Sequence, residues 1–358
     1  MVLFSFAASS IDNRCYRILL KREGERSMET GKVCVTGAGG YIASWLVKLL
    51  LSKRYYVNGT VRYPRSENNS HLKKLDGASE NLQLFEADVL DYDALLAAFQ
   101  GCDGVFHVAS PLPGFEVQNP EVELIAPALN GTLNVFKASS EAGVKRVVLV
   151  SSLSAVINNP QWPKDKVMDE SCWSDKDFLR ETEYWYGLSK TLAESAAFEY
   201  AEKTGLSFVA VCPSMVFGPL LQTNVNASSK LLLTIVEGTV EPMENKLWHF
   251  VDVRDVADAL VLVYENGDAS GRYICSAHQS YLQDLISMLK SIYPTYKYQQ
   301  NFVELQQERR LSSAKLKMLG WKNRSMKETL VDSIQVYQQM GLLENTTACD
   351  CHQHINSA

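Results

Sequence analysis

From Gly31 onward, short runs of apolar and β-branched residues alternate with longer segments whose apolar positions recur every three or four residues. The short runs predict strands at Val33–Thr36, Val57–Arg62, Leu82–Ala87, Gly104–Val108, Arg146–Ser151 and Ser207–Cys212. The longer segments predict helices near Ala43–Ser52, Tyr92–Phe99, Ile125–Ala142 and Trp185–Lys203. Val147-Val148-Leu149-Val150 is apolar at every position rather than every second one, as a strand buried on both faces must be. Such alternation predicts an α/β fold of Rossmann type, a doubly wound parallel sheet whose ligands bind beyond the carboxyl ends of its strands. The rhythm breaks after Pro213, with a turn at Gly218-Pro219 and irregular spacing up to Leu343. The expected organisation is a disordered extension over 1–30, a large domain over 31–215, and a smaller C-terminal substrate lobe over 216–343. That lobe is interleaved with the last sheet strands, and 344–358 reads as a disordered tail.

Composition narrows the function. The 358 residues carry 35 Lys+Arg against 41 Asp+Glu, a net charge of −6, and 46% are hydrophobic. With no basic run, neither nucleic acid nor an anionic membrane is an expected partner. No stretch of 18 apolar residues is present to span a bilayer. The eight cysteines are scattered, several inside apolar runs such as Val33-Cys34-Val35, which reads as buried reduced thiols of a cytoplasmic protein. Cys349-Asp350-Cys351-His352-Gln353-His354 has metal-ligand residue types but no second well-spaced pair, so no metal site is expected.

The chemistry begins where the first strand meets Thr36-Gly37-Ala38-Gly39-Gly40-Tyr41-Ile42-Ala43 and a helix follows. Gly37 suits a tight turn, Gly40 lets backbone approach a pyrophosphate, and small Ala43 lets helix and strand pack closely. The helix N-terminus beyond, with Tyr41 and Ile42, supplies free N–H groups for the phosphates. Arg62 ends the second strand, where NAD sites usually carry a carboxylate, and Arg65 follows. Arginine suits a ribose 2′-phosphate, so NADP(H) is expected rather than NAD(H). Asp88 and Val89 close the third strand beside the expected adenine position. Val108, Ala109 and Ser110 close the fourth and line the expected cofactor channel.

Tyr186-Gly-Leu-Ser-Lys190 sets a phenol and an ammonium four apart on one helix face. Tyr293-Pro-Thr-Tyr-Lys297 repeats the spacing in a Pro-broken segment with no cofactor motif nearby and reads as accidental. Tyr186 instead follows the fifth strand, whose end carries Ser151-Ser152. In a hydride-transfer site Tyr186 is the general acid, Ser152 holds the substrate oxygen, and Lys190 binds the nicotinamide ribose while lowering the tyrosine pKa. Ser151 and Ser154 are the alternatives for the serine.

Together with Asp169-Glu-Ser-Cys-Trp-Ser-Asp175, Gly218-Pro-Leu-Leu-Gln222, Val251-Asp-Val-Arg-Asp-Val-Ala257 and Ser270-Gly-Arg-Tyr273, these motifs resemble the extended short-chain dehydrogenase/reductases. Within them the chain is similar to the plant cinnamoyl-CoA, dihydroflavonol and phenylacetaldehyde reductases. The resemblance runs from about Lys32 to Leu343. It implies NADPH as reductant, a small-molecule carbonyl substrate (aldehyde, ketone or acyl-CoA thioester), and contacts from Pro213, Val216 and Ser228 to the nicotinamide half; the assembly is left open between monomer and homodimer. The chain departs from the cinnamoyl-CoA pattern in four places. Glu183-Tyr-Trp-Tyr-Gly-Leu-Ser-Lys190 replaces Asn-Trp-Tyr-Cys-Tyr-Gly-Lys, and Leu231 and Thr234 stand where a His and a Lys are usual. Asn68 replaces the lysine that pairs with Arg62, a loss that Arg65 offsets. Of the thioester-associated basic residues only Arg254 remains, which shifts the expectation toward a free aldehyde or ketone. The competing functions are an epimerase or dehydratase of the extended family and a non-catalytic NADPH sensor.

Overall fold

The computed structural model describes residues 31–111, 117–163, 165–305 and 309–346, so the expected 1–30 extension and the Cys349–His354 cluster lie outside the described residues. The strands are β1 (Lys32–Thr36), β2 (Tyr56–Val61), β3 (Leu82–Glu86), β4 (Gly104–His107), β5 (Arg146–Val150), β6 (Phe208–Pro213), β7 (Met215–Phe217), β8 (Met243–Asn245), β9 (Leu247–Asp252), β10 (Gly271–Cys275), β11 (His278–Tyr281) and β12 (Phe302–Glu304). The longer helices are α1 (Tyr41–Ser52), α2 (Tyr92–Phe99), α3 (Ala126–Glu141), α4 (Trp185–Thr204), α5 (Ala227–Glu237), α6 (Val253–Glu265), α7 (Leu282–Ile292) and α8 (Met326–Gln339).

Seven strands form one sheet in the order β10-β6-β5-β4-β1-β2-β3, with every neighbouring pair parallel. The all-apolar runs are buried on both sides because alternate residues serve different layers. Val33, Val35, Val148, Val150, Val209 and Val211 pack with Leu46 and Leu50 of α1 and Val256 and Leu260 of α6. Cys34, Val147, Leu149, Phe208 and Ala210 face the opposite layer, against Phe99 of α2, Phe136 of α3 and Ala197 of α4. Each large side chain so buried contributes roughly 1.5–3 kcal/mol, which is why both layers are needed to hold the sheet.

The expected strands and helices of the first 213 residues are all present, with ends shifted by a residue or two. Helix α1 starts at Tyr41 because Gly40 is still extended, at φ −75° and ψ 167°. Strand β2 stops at Val61, leaving Arg62 just outside the ladder. Irregular spacing concealed β10, which returns after α6 to pair with β6 at the sheet edge. Strands β11, β9 and β7 form a second sheet, and β12 with β8 a third, flanked by α5, α7 and α8. Only Ser214 separates β6 from β7, so this smaller layer grows directly from a carboxyl end of the large sheet. Chain order reverses at β1, whose neighbours are β2 and β4, and the crevice for a ligand opens between the loops leaving β1 and β4.

Candidate active site

The loop leaving β1 turns at Gly37, whose φ is +65°. A Cβ there would lie 3.0 Å from the Ala109 Cβ and 3.1 Å from its Cα, so the loops leaving β1 and β4 meet at a point only glycine permits. Thr36 ties the same loops together, its Oγ1 accepting the N–H groups of Val108 and Ala109, each at 3.1 Å. With its oxygen so used, the Thr36 hydroxyl proton points to Nδ1 of His107, 3.0 Å away. Nε2 of His107 then bears the proton and donates to Thr132 Oγ1 on α3, at 3.2 Å. Burial first, and the Lys190 charge second, push His107 down to about 3, so it stays neutral.

Helix α1 has neither a side-chain cap nor an acidic residue in its first turn. The Gly40 N–H is used by the Gly37 carbonyl at 2.9 Å, and the amides of Tyr41, Ile42 and Ala43 begin the helix with no acceptor one turn earlier. An anion fits there, favoured by those donors and by the helix dipole. Tyr41 offers only its backbone, because its buried hydroxyl donates to the Gly218 carbonyl at 2.9 Å and fastens the glycine loop to the smaller layer. Tyr41→Phe leaves that carbonyl unsatisfied and should lower stability by about 1–3 kcal/mol, read from the urea midpoint.

At the end of β2, Arg62 and Arg65 are exposed and have no ion-pair partner among the described residues, leaving two guanidinium groups available to a phosphate. Asp88 holds its own turn, its Oδ1 accepting the Leu90 N–H at 2.9 Å. Val89 packs on Gly131 of α3, where any larger residue would collide with it. Val89, His107, Ala109, Ser110, Ser151 and Lys190 line one cleft, which brings residues at the ends of β3, β4 and β5 beside one of α4; Ser152 and Tyr186 are not among its lining. The open amides at α1 and the glycine contact fit the pyrophosphate of a nicotinamide dinucleotide.

The three serines after β5 have separate partners. Ser151 donates to Glu194 Oε2 at 2.5 Å, and Ser154 pairs with the Tyr184 hydroxyl at 2.8 Å. Ser152 is the serine whose hydroxyl acts on the Tyr186 phenol, drawing its pKa down, and its Oγ accepts the Ser154 N–H at 3.1 Å. Lys190, buried one turn along α4, donates to the Val150 carbonyl at 3.2 Å. Burial pushes Lys190 down to about 8, with Glu194 and Cys212 opposing. The expected lowering of the tyrosine is reversed in the protein alone. Burial pushes Tyr186 up to about 12 and outweighs the lowering influence of the Ser152 hydroxyl, so the phenol is held as a proton donor.

Pro213 ends β6, paired with Cys275, and Val216 is packed in the apolar core. Ser228 lies in the first turn of α5 and accepts from Asn226 Nδ2 at 2.7 Å. None of these three lines the cleft described above. The second Tyr–Lys spacing is no site: Tyr293 is buried in the core and Lys297 is exposed, outside any helix. Sequence reasoning missed Glu194, Arg272 and Tyr184. Glu194 follows Lys190 at helical spacing, but nothing local could name its partner on β10.

The chain matches the NAD dependent epimerase/dehydratase family over residues 33–275. It is 44% identical to cinnamoyl-CoA reductase 1 of Petunia hybrida over 329 residues, covering 91% of this chain and 97% of that protein. Vestitone reductase from alfalfa (Medicago sativa L.) superposes with a TM-score of 0.76 at 33% identity, over 88% of this chain and all (100%) of that one. Yeast methylglyoxal/isovaleraldehyde reductase, solved with NADPH, superposes with a TM-score of 0.76 at 28% identity, over 87% of this chain and 100% of that one. Among the described residues no helix is long and apolar enough to cross a membrane. The chain therefore belongs to the NAD dependent epimerase/dehydratase family and, within it, to the cinnamoyl-CoA reductase-like group of oxidoreductases.

Proposed function

We propose that this protein is a cytoplasmic NADPH-dependent reductase of aromatic, phenylpropanoid-type carbonyl compounds. The observation that carries the reading is the grouping at the carboxyl end of β5 of Ser152, whose hydroxyl acts on the Tyr186 phenol, with buried Lys190, one helical turn past Tyr186, donating to the Val150 carbonyl at 3.2 Å. Residues 31–215 serve the cofactor and the chemistry, and 216–343 the substrate, with β10 lent back to the large sheet. Gly37, Gly40 and the amides of Tyr41 and Ile42 hold the pyrophosphate. Arg62, helped by Arg65, meets the 2′-phosphate, and Asp88 and Val89 meet the adenine. Val108, Ala109 and Ser110 flank the channel, and Pro213, Val216 and Ser228 border the nicotinamide half. Bound NADPH supplies the hydride. Tyr186 delivers a proton to the oxygen of the reduced carbonyl, Ser152 holds that oxygen, and Lys190 orients the ribose.

A free aldehyde or ketone suits the site better than a thioester. Arg254, the one basic residue retained from the thioester pattern, is already spent. It grips Asp252 through Nε at 2.9 Å and a terminal nitrogen at 2.8 Å, and Asp332 at 2.6 Å. NADPH oxidation measured in parallel on cinnamaldehyde-type aldehydes, phenylacetaldehyde, a dihydroflavonol and feruloyl-CoA tests this. The highest kcat/KM is expected on an aldehyde or ketone, and no oxidation on any of them overturns the proposal. Arg62→Glu should cost roughly 10- to 100-fold in the preference for NADPH over NADH, the size of one lost charged hydrogen bond. The ratio of kcat/KM values for the two nucleotides reads it.

A further inference from the structure

We infer that the buried Arg272–Glu194 pair is a positioning device that keeps the Ser152 turn in register with the Tyr186–Lys190 helix. The inference rests on the reading of those three residues as the reacting groups. Glu194 stands one turn past Lys190 on α4 with its side chain fully buried (0% exposed), and Arg272 on β10 is 5% exposed. All five guanidinium donors are used. Nε reaches Glu194 Oε1 at 2.6 Å, and one terminal nitrogen reaches the carbonyls of Cys172 at 2.5 Å and Glu170 at 3.3 Å. The other terminal nitrogen reaches the Ala155 carbonyl at 3.0 Å and Glu194 Oε2 at 3.3 Å. The guanidinium also lies over the Trp173 ring, 3.8 Å from its centroid.

These partners belong to the parts that must be aligned. Ala155 closes the short turn Leu153–Ala155 that Ser152 caps, and Ser151 beside it donates to Glu194 at 2.5 Å. One cation thus holds the serine turn, the 170–173 loop and, through Glu194, the helix of Tyr186 and Lys190. Stability alone would not call for this, since buried ion pairs are often replaceable by apolar residues at no loss. The geometry explains it: a flat fork can hold three segments at fixed angles, which a lysine cannot.

The pair also shapes the charge on Lys190. The groups facing that lysine are Glu194 on its own helix, Cys212 on β6 and His107 on β4, with Tyr186 one turn away. Burial keeps the Cys212 thiol and the His107 imidazole neutral, so Glu194 is the carboxylate that favours protonated Lys190.

Three variants test the inference alongside Tyr186→Phe, with kcat, KM and NADPH affinity followed across pH. Ser151→Ala, which leaves both charges paired, should lower kcat roughly tenfold with KM and NADPH affinity within about twofold, the mark of lost alignment. Arg272→Lys should do the same more strongly, although the charge is kept. Glu194→Gln should move the alkaline fall of kcat to lower pH, because the lysine then loses its proton more readily. A role in stability alone would lower the melting temperature without splitting kcat from KM or moving the pH profile. Should Glu194→Gln fail to fold, Ser151→Ala and Arg272→Lys decide. Wild-type kcat in both, with Tyr186→Phe inactive, overturns the inference and leaves the functional reading standing. Full activity in Tyr186→Phe overturns both.

Discussion

Tyr186→Phe is expected to lower kcat for carbonyl reduction by about 10³-fold, within the range a positioned general acid supplies. The substitution deletes one oxygen and keeps the ring, which packs 6.4 Å from the Tyr184 ring at the start of α4. NADPH affinity should stay within about twofold, because the glycine loop, Arg62 and Lys190 are untouched. Stopped-flow absorbance gives the first quantity and fluorescence titration the second. Retained activity would mean that another group protonates the product. The hydroxyls of Ser154 and Tyr184, joined at 2.8 Å, are candidates. The wild-type pH profile should agree. Tyr186, pushed up to about 12, keeps its proton across the working range, whereas buried Lys190 loses its own as pH rises through about 8. Reduction should therefore decline on the alkaline side of about pH 8 and hold steady below it.

Gly37→Val is the second large effect. The native φ of +65° suits glycine, and a β-branched residue there pays of order 1–3 kcal/mol in backbone strain. Its Cβ would also press on Ala109 at 3.0 Å, tighter than ordinary contact, and a branched side chain would have to part the loops leaving β1 and β4. Parting them breaks the Thr36 bonds to Val108 and Ala109 and tilts the open amides of α1 away from a common ligand. NADPH binding should weaken at least about 100-fold, equivalent to roughly 2.7 kcal/mol. Calorimetric titration measures it, and circular dichroism separates lost binding from lost fold. Near wild-type affinity would place the pyrophosphate elsewhere.

What could be read from the amino-acid order follows from how local each signal is. Runs such as Arg146–Val150 announce a buried strand by themselves, because every residue must face a covering layer. Gly37 and the start of α1 are adjacent in the chain, so their turn and its free amides are equally legible. Tyr186 and Lys190 share one helix face, and the end of the fifth strand points to Ser152 for the third position while leaving Ser151 and Ser154 as alternatives. Three-dimensional packing separates them, with Ser151 turned to Glu194, Ser154 to Tyr184 and Ser152 to Tyr186. Strand β10 stayed hidden because Gly271-Arg272-Tyr273-Ile274-Cys275 sits at the sheet edge and carries a charge at its second position. That charge is satisfied by Glu194, 78 positions away, and no periodicity encodes a pairing of that span. The rise of Tyr186 in the protein alone is hidden for a related reason: adjacency to a lysine is visible along a helix, but the depth of burial is not.

The account centres on net hydride delivery to a carbonyl carbon beside Tyr186, and isotope transfer measures it most directly. The protein is given NADPH carrying deuterium at the transferable C4 position together with an aromatic aldehyde, and the alcohol is analysed by mass spectrometry and NMR. The expected result is one deuterium at the former carbonyl carbon for each NADPH oxidised, with the transfer abolished in Tyr186→Phe. Turnover without net NADPH oxidation, as an epimerase would show, or alcohol lacking the label, would contradict it.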